Sequence, residues 1–144
     1  FILKHYGKHN IYNALAASAI ALSAGCTLVQ IKAALENFSN IAGRLEQKQG
    51  IAGSVIFDDS YNANPGSVKA GINAIQQFKG ESVLILADMA ELGEQSEELH
   101  YQLGIDAAAM GVARCFTLGD KSHAVHRGFV SLKNGSADRK STRL

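Results

Sequence analysis

Short β-rich segments alternate with amphipathic helical segments from residue 42 onward, and this pattern restricts the fold more than any other feature. The strand candidates are residues 55–57, 82–86 and 115–118, and the helix candidates are residues 67–78, 97–109 and 122 to about 127. Such alternation predicts parallel strands joined by right-handed crossovers. The apolar run 83–86 is typical of a central strand that is buried on both faces. We therefore expect an α/β fold with a mostly parallel sheet.

The first 41 residues have a different pattern, which predicts two helices. Residues 10–24 are rich in alanine and carry apolar side chains at helical spacing, and Gly25 ends that run. Thr27 is placed to cap a second helix that extends to about Phe38. Because these helices have no strand partner in the sequence, we expect residues 1–41 to end a domain whose body lies upstream. Residues 42–129 would form the α/β domain.

Composition excludes several classes of protein. The chain has 144 residues, 47% of them hydrophobic and 19% charged, and a formal net charge of +1. That charge argues against a nucleic-acid-binding surface, which needs a basic patch. The longest apolar stretch, residues 14–24, is too short to span a bilayer, so we expect no membrane insertion. Cys26 and Cys115 are isolated and lack the spacing of metal ligands. We therefore expect both to be reduced thiols in a cytoplasmic protein.

Polar residues cluster directly after the first strand candidate. Asp59 stands at the end of this strand, and Pro65, Gly66 and Ser67 supply a turn and the start of a helix. Open α/β sheets bind ligands at the carboxyl ends of their strands, and free N–H groups at a helix N-terminus favour anions. Taken alone, the segment is compatible with a site for a polar ligand and equally with a capped, solvated loop.

Four segments, taken in order, resemble the Mur ligases of peptidoglycan synthesis. They are residues 7–17 (GKHNIYNALAA), 43–46 (GRLE), 58–67 (DDSYNANPGS) and 88–94 (DMAELGE). The third and fourth look like the branch of this family that adds D-alanyl-D-alanine to UDP-N-acetylmuramoyl tripeptide. The resemblance covers about residues 5–129. It implies the closing helices of a central ATPase domain followed by most of a Rossmann-like C-terminal domain.

The same resemblance implies a reaction and its cofactors. A Mur ligase transfers the γ-phosphoryl group of ATP to a substrate carboxylate, and the incoming amine attacks the resulting acyl phosphate. This chemistry needs phosphate-binding loops, Mg²⁺ ligands and cationic side chains. The chain contains no Gly-Lys-Thr or Gly-Lys-Ser loop, so we expect that loop and the Mg²⁺ ligands in an upstream part. We predict that this chain alone has no ligase or ATPase activity.

Matching the family pattern residue by residue gives a candidate site. The implied roles are adenine contact for Asn13, contact with the ATP phosphates for Arg44, ribose contact for Asp59, and the cleft toward the dipeptide for Tyr61, Asn62 and Asn64. A guanidinium can hold two phosphate oxygens at once. The catalytic candidates are Arg44 and Asp59. The alternative interpretation of Arg44 is that it is an exposed arginine in the linker. Asp58 is interpreted as a structural neighbour, and no metal ligand is assigned.

Other polar residues receive structural or open interpretations. Asp88, Glu91 and Gly93 follow the next strand, so we expect Asp88 to lie on the same sheet edge as Asp59. His100, a lone histidine at a helical position, is interpreted as structural. His9 is also taken as structural. His123 and His126 lack a third ligand at zinc spacing, and a surface helix is the preferred interpretation.

Several alternatives remain at the level of the whole protein. The chain could belong to a folylpolyglutamate synthase-like or other ligase of the same superfamily, or be an inert nucleotide-binding Rossmann-like module. We expect the intact enzyme to be a cytoplasmic monomer that acts on UDP-N-acetylmuramoyl tripeptide and D-alanyl-D-alanine.

Residues 130–144 depart from the family pattern. Residues 138–144 match the translation of the start of a common sequencing adapter, so we expect this tail to be aberrant.

Overall fold

The computed structural model describes residues 8–38 and 41–141. They form two compact units, one ending at Tyr61 and the other beginning at Asn62. The elements are, in order, α1 (Lys8–Ser23), α2 (Leu28–Asn37), β1 (Glu46–Gln49), β2 (Val55–Asp58), α3 (Pro65–Ile75), β3 (Val83–Ala87), α4 (Ser96–Ala109), β4 (Arg114–Leu118) and α5 (His123–Ser141). Among the described residues, no helix combines the length and apolarity needed to cross a membrane.

The first unit contains the two predicted helices, which pack against each other. Thr27 caps α2 as predicted: its side chain accepts a hydrogen bond from the Gln30 N–H, while the Gln30 side chain accepts one from the Thr27 N–H at 2.8 Å. This reciprocal pairing satisfies two N–H groups that the helix itself leaves free. The helix bounds therefore follow from local capping signals.

The same unit contains an antiparallel hairpin, which corrects one prediction. Strand β2 was expected to run parallel to its neighbour, but it pairs antiparallel with β1, with Gln47 opposite Phe57. The chain reverses through a tight loop, where the Gly50 N–H donates to the Ser54 carbonyl at 2.8 Å and Ala52 adopts a φ of 53°. Strand β1 was not predicted, because Glu-Gln-Lys-Gln contains no β-branched or aromatic residue.

The second unit has the predicted α/β architecture. Strands β3 and β4 pair in parallel, with Ile85 opposite Phe116, and helix α4 lies between them in sequence. The core of this unit includes Leu86, Leu103 and Val125, which are at most 7% exposed. The small parallel sheet with flanking helices confirms the predicted fold class.

One face of this sheet is open, which corrects a second prediction. Residues 83–86 were expected to be buried on both sides, yet Val83 is 43% exposed and Ile85 is 76% exposed. Only the alternate side chains, Leu84 and Leu86, pack toward the core. A continuous apolar run cannot by itself distinguish one covered face from two, because both kinds of strand can be equally apolar.

Helix α5 is longer than its pattern predicts. We expected it to end near residue 127, but it continues to Ser141. Phe129 extends the apolar face of the helix and is 6% exposed. The domain boundaries at residues 41–42 and 129–130, and the aberrant character of the tail, remain predictions. Residues 142–144 lie outside the described part of the chain.

Candidate functional site

Arg44 lies in a short loop whose backbone is held on both sides by residues 59–61. On one side the Tyr61 N–H donates to the Gly43 carbonyl at 3.0 Å. On the other side the Leu45 N–H donates to Oδ1 of Asp59 at 2.9 Å. The structure therefore brings together three of the predicted site residues, Arg44, Asp59 and Tyr61.

The loop adopts a left-handed conformation on both sides of Arg44. Gly43 has a φ of 70° and Leu45 a φ of 49°. For Leu45 this conformation is unfavourable, because its Cβ crowds the following carbonyl oxygen. The Leu45 side chain is nevertheless only 5% exposed, so its burial helps to offset the backbone strain. A Cβ added to Gly43 would approach the Tyr61 nitrogen to 3.0 Å, which favours glycine at this position.

The guanidinium of Arg44 lies over the ring of Tyr61. Its Cζ is 4.3 Å from the ring centroid, which is within the range of a cation–π interaction. Both residues are exposed, Tyr61 to 66%. The pair thus presents a positive charge at the surface, over an aromatic ring.

Asp58 and Asp59 have different partners, although they are adjacent. Oδ2 of Asp58 accepts a hydrogen bond from Nζ of Lys48 at 2.6 Å across the hairpin. This contact, with a smaller contribution from Ser60, lowers the pKa of Asp58 to about 2. Asp58 therefore stabilises the hairpin, whereas Asp59 contacts the Arg44 loop.

Asn64 and Asn62 open the second unit. Asn64 is the N-cap of α3: its Oδ1 accepts from the Ser67 N–H at 2.9 Å, and Ser67 Oγ accepts from the Asn64 N–H at 3.0 Å. Pro65 follows at the first helical position, as expected for a helix start. Asn62 is exposed. The carboxamide oxygen of Asn64 is thus engaged by its own helix, which leaves its NH₂ group for any contact with a ligand.

Asn13 lies on α1 and is exposed. Its Nδ2 donates to Oδ1 of Asn10 one turn earlier, at 3.5 Å. Among the described contacts, none joins Asn13 to the Arg44 loop, so its convergence on that site remains a prediction. The side chain of His9 lies outside the described part of the structure.

Asp88 follows β3 directly and contacts the segment after β4. Its Oδ1 accepts from the Ser122 N–H at 2.6 Å, and this backbone bond is the main reason that the pKa of Asp88 lies below its usual value. Gly119 has a φ of 116°, and a Cβ there would lie 2.5 Å from Oδ1 of Asp88. The strand before Asp59 pairs with β1, whereas the strand before Asp88 pairs with β4, and the two pairs form separate sheets. The expectation that Asp59 and Asp88 lie on the edge of one sheet is therefore wrong.

His100, His123 and His126 agree with their structural interpretation. His100 is fully buried, and its Nε2 accepts from the Met89 N–H at 3.0 Å. His123 and His126 are exposed on α5. In residues 8–38 and 41–141, no cluster of three or more His, Cys, Asp or Glu side chains could hold a metal ion. Cys26 and Cys115 form no disulfide, and Cys26 is exposed whereas Cys115 is buried.

Two features of the site were not predicted from the sequence: the participation of Leu45, and the hydrogen bond that Asp59 accepts from the Leu45 N–H. The role of Leu45 depends on its backbone N–H and on its left-handed conformation, neither of which its residue type predicts. Gly43 was the available signal for an unusual backbone in this loop, because glycine readily adopts a positive φ.

Comparison with known proteins identifies the family. Residues 43–139 match the family described as "Mur ligase, glutamate ligase domain". The chain is 46% identical over 119 residues to the UDP-N-acetylmuramoyl-tripeptide--D-alanyl-D-alanine ligase of Escherichia coli (strain K12), which covers 83% of the chain and 26% of that enzyme. The chain thus spans about a quarter of the length of that relative.

Solved structures give the same result. A crystal structure of MurF from Acinetobacter baumannii matches with a TM-score of 0.80 and 35% identity, over 89% of this chain and 28% of that one. The MurF ligase of Thermotoga maritima, solved in complex with ADP, matches with a TM-score of 0.63 and 18% identity, over 94% of this chain and 40% of that one. At that identity the second match shows the fold alone. The family match covers more than half of the chain, and the chain therefore belongs to the Mur ligase family.

Proposed function

We propose that the chain forms part of an ATP-dependent ligase that adds D-alanyl-D-alanine to UDP-N-acetylmuramoyl tripeptide in peptidoglycan synthesis. Support comes from the name of its Escherichia coli relative and from the A. baumannii MurF structure that it resembles. The Arg44 loop lies at the start of the family match, which begins at residue 43. The intact enzyme would be a cytoplasmic monomer with no nucleic-acid partner.

The observation that carries this proposal is the exposed guanidinium of Arg44, which lies over the Tyr61 ring. Its contact with the Tyr61 ring, at 4.3 Å, consumes no hydrogen-bond donor. The N–H groups of Arg44 are therefore compatible with the negatively charged oxygens of a phosphate, which arginine can bind in pairs. In the proposed enzyme Arg44 neutralises charge on the phosphates of ATP while the phosphoryl group moves to the tripeptide carboxylate.

The remaining site residues have supporting roles in the proposal. Asn13 offers a donor and an acceptor to the edge of adenine. Asp59 is placed at the ribose, where its carboxylate can accept from a hydroxyl while Oδ1 holds the Leu45 N–H. Tyr61, Asn62 and Asn64 face the incoming dipeptide. Asn64 would use its NH₂ group there, because its oxygen caps α3.

The phosphate-binding loop and the Mg²⁺ ligands are assigned to another part of the enzyme. The chain contains no Gly-Lys-Thr or Gly-Lys-Ser sequence, and its described acidic residues form no metal-binding cluster. Mg²⁺ would neutralise phosphate charge in the intact enzyme. This chain would then contribute positioning and one cationic side chain.

A chimeric enzyme tests the proposal. In the chimera, the aligned segment of the Escherichia coli relative is replaced by the matching residues of this chain. We expect release of ADP and formation of the amide product only when ATP, Mg²⁺, the UDP-linked tripeptide and D-alanyl-D-alanine are all present. The Escherichia coli protein without the segment, and this chain alone, are the inactive controls. A chimera that folds, as judged by a cooperative thermal transition, but forms no product would contradict the proposal.

A further inference from the structure

Three contacts fix Arg44 from the same neighbouring segment. The Tyr61 N–H binds the Gly43 carbonyl before Arg44, and the Asp59 carboxylate binds the Leu45 N–H after it. The Tyr61 ring lies under the guanidinium at 4.3 Å. Backbone and side chain of Arg44 are thus both restrained by residues 59–61.

We propose that Tyr61 and Asp59 are positioning residues for Arg44: the Tyr61 ring orients the guanidinium, and Asp59 holds the loop through the Leu45 N–H. This inference rests on the proposed function of Arg44 at the ATP phosphates. It gives Tyr61 and Asp59 tasks that require no direct contact with dipeptide or ribose.

The chemistry of the Tyr61 ring suits this task better than a carboxylate would. An Asp or Glu partner would occupy N–H donors of the guanidinium and cancel its charge. An aromatic face attracts the cation through its quadrupole and leaves every N–H free. Arg44 can therefore be ordered in advance without losing its capacity to bind phosphate.

Asp59 acts on the loop by a different route. Leu45 is held in a left-handed conformation, with a φ of 49°, that a leucine rarely adopts. The charge-assisted hydrogen bond from its N–H to Asp59 stabilises that conformation. Because Leu45 directly follows Arg44, release of this bond would free the backbone that presents the guanidinium.

The contact with Tyr61 can be tested on this chain without any assumption about activity. In Tyr61→Leu the backbone bond to Gly43 remains, so the loop is not expected to unfold. We expect the Arg44 side-chain Nε–H signal in NMR to lose its ring-current shift in Tyr61→Leu and to keep it in Tyr61→Phe. An unchanged signal in Tyr61→Leu would overturn the positioning role.

Kinetics of the chimera test the consequence for Arg44. We expect Tyr61→Leu to lower kcat about two- to fivefold, as the loss of an exposed cation–π contact implies, and Tyr61→Phe, which keeps the ring, to lower it less. In an Arg44→Ala background, Tyr61→Leu should have a smaller effect than in the unmodified chimera. Equal losses for Phe and Leu, or full additivity with Arg44→Ala, would overturn the proposal.

A nucleotide series separates the two roles considered for Asp59. If Asp59 acts through the loop, Asp59→Ala should slow the chimera with 2′-deoxy-ATP and 3′-deoxy-ATP as well as with ATP, and Asp59→Asn should rescue part of the loss. A loss confined to ATP would instead show ribose contact and overturn the loop role. An unmodified chimera without activity would contradict the proposed function alone, since the NMR result on Arg44 stands independently.

Discussion

The Nε2 atom of His100 accepts a hydrogen bond from the backbone N–H of Met89, with 3.0 Å between the two nitrogens. Its Nδ1 lies 2.6 Å from the Ser96 carbonyl oxygen, so Nδ1 carries the proton and donates. The ring thereby ties the start of α4 to the segment after β3. Because His100 is completely buried, both contacts are shielded from water.

We expect His100→Ala to lower the free energy of unfolding by about 2 to 5 kcal/mol. The change leaves a cavity and removes the partner of a buried N–H, and each effect costs stability. Urea unfolding followed by circular dichroism measures the loss. His126→Ala, at an exposed position on α5, is the control and should change stability by no more than about 0.5 kcal/mol. Equal effects of the two substitutions would contradict the structural role of His100.

Two glycines set the distance between α4 and α5. A Cβ on Gly104 would lie 2.0 Å from the Val125 carbonyl oxygen, and one on Gly128 would lie 2.0 Å from that of Tyr101. We expect either Gly→Ala change to destabilise the chain by about 1 to 3 kcal/mol through overpacking, although alanine is the better helix former by about 1 kcal/mol. Chemical denaturation checks this, with the exposed Glu98→Ala on α4 as control. A higher unfolding midpoint for Gly104→Ala would show that the helices lie farther apart.

Local signals predicted much of the fold. The Thr27 cap, the parallel strands around Ile85 and Phe116, and the helix between these strands are determined by residues close together in sequence, and each was predicted to within a few residues. Strand β1 was missed, because its polar residues derive their strand conformation from pairing with β2 and not from their own propensity.

The contacts within the candidate site were harder to predict from the sequence than the fold was. Residue types and family motifs selected Arg44, Asp59 and Tyr61. Their mutual contacts depend on the hairpin register and on the left-handed backbone of Leu45, and neither follows from composition or periodicity. The capping role of Asn64 was also missed, although the Pro65 that follows it is a typical sign of a helix start.

The Asp58–Lys48 contact predicts a pH dependence. Folding lowers the pKa of Asp58 from 3.8 to about 2, mainly through its hydrogen bond with Lys48. The stabilisation is therefore complete above about pH 4 and is lost as the pH falls toward 2. In an NMR titration of the carboxyl carbon, Lys48→Met should return the Asp58 midpoint toward 3.8. A midpoint that stays near 2 in this variant would show that Lys48 is not the cause.

The two cysteines should differ in reactivity. Cys26 is exposed, whereas Cys115 is 7% exposed on β4, and burial raises the pKa of its thiol. Both effects reduce the reactive thiolate at Cys115. We expect a thiol reagent such as Ellman's to label one thiol rapidly in the native chain and the second only after denaturation. Cys26→Ser should abolish the rapid phase, and rapid labelling in that variant would contradict the burial of Cys115.

Arg44 provides the most direct test of the proposed site. In the chimera we expect Arg44→Ala to lower kcat by about tenfold to a hundredfold, because one charge-assisted phosphate contact is worth about 1.5 to 3 kcal/mol. Arg44→Lys should lose less, since it keeps the charge but not the planar pair of donors. Arg114→Ala is a matched control, because Arg114 is also exposed but pairs with Glu81 in the second unit. If Arg44→Ala retained the turnover and ATP KM of the unmodified chimera, Arg44 would be an ordinary linker arginine.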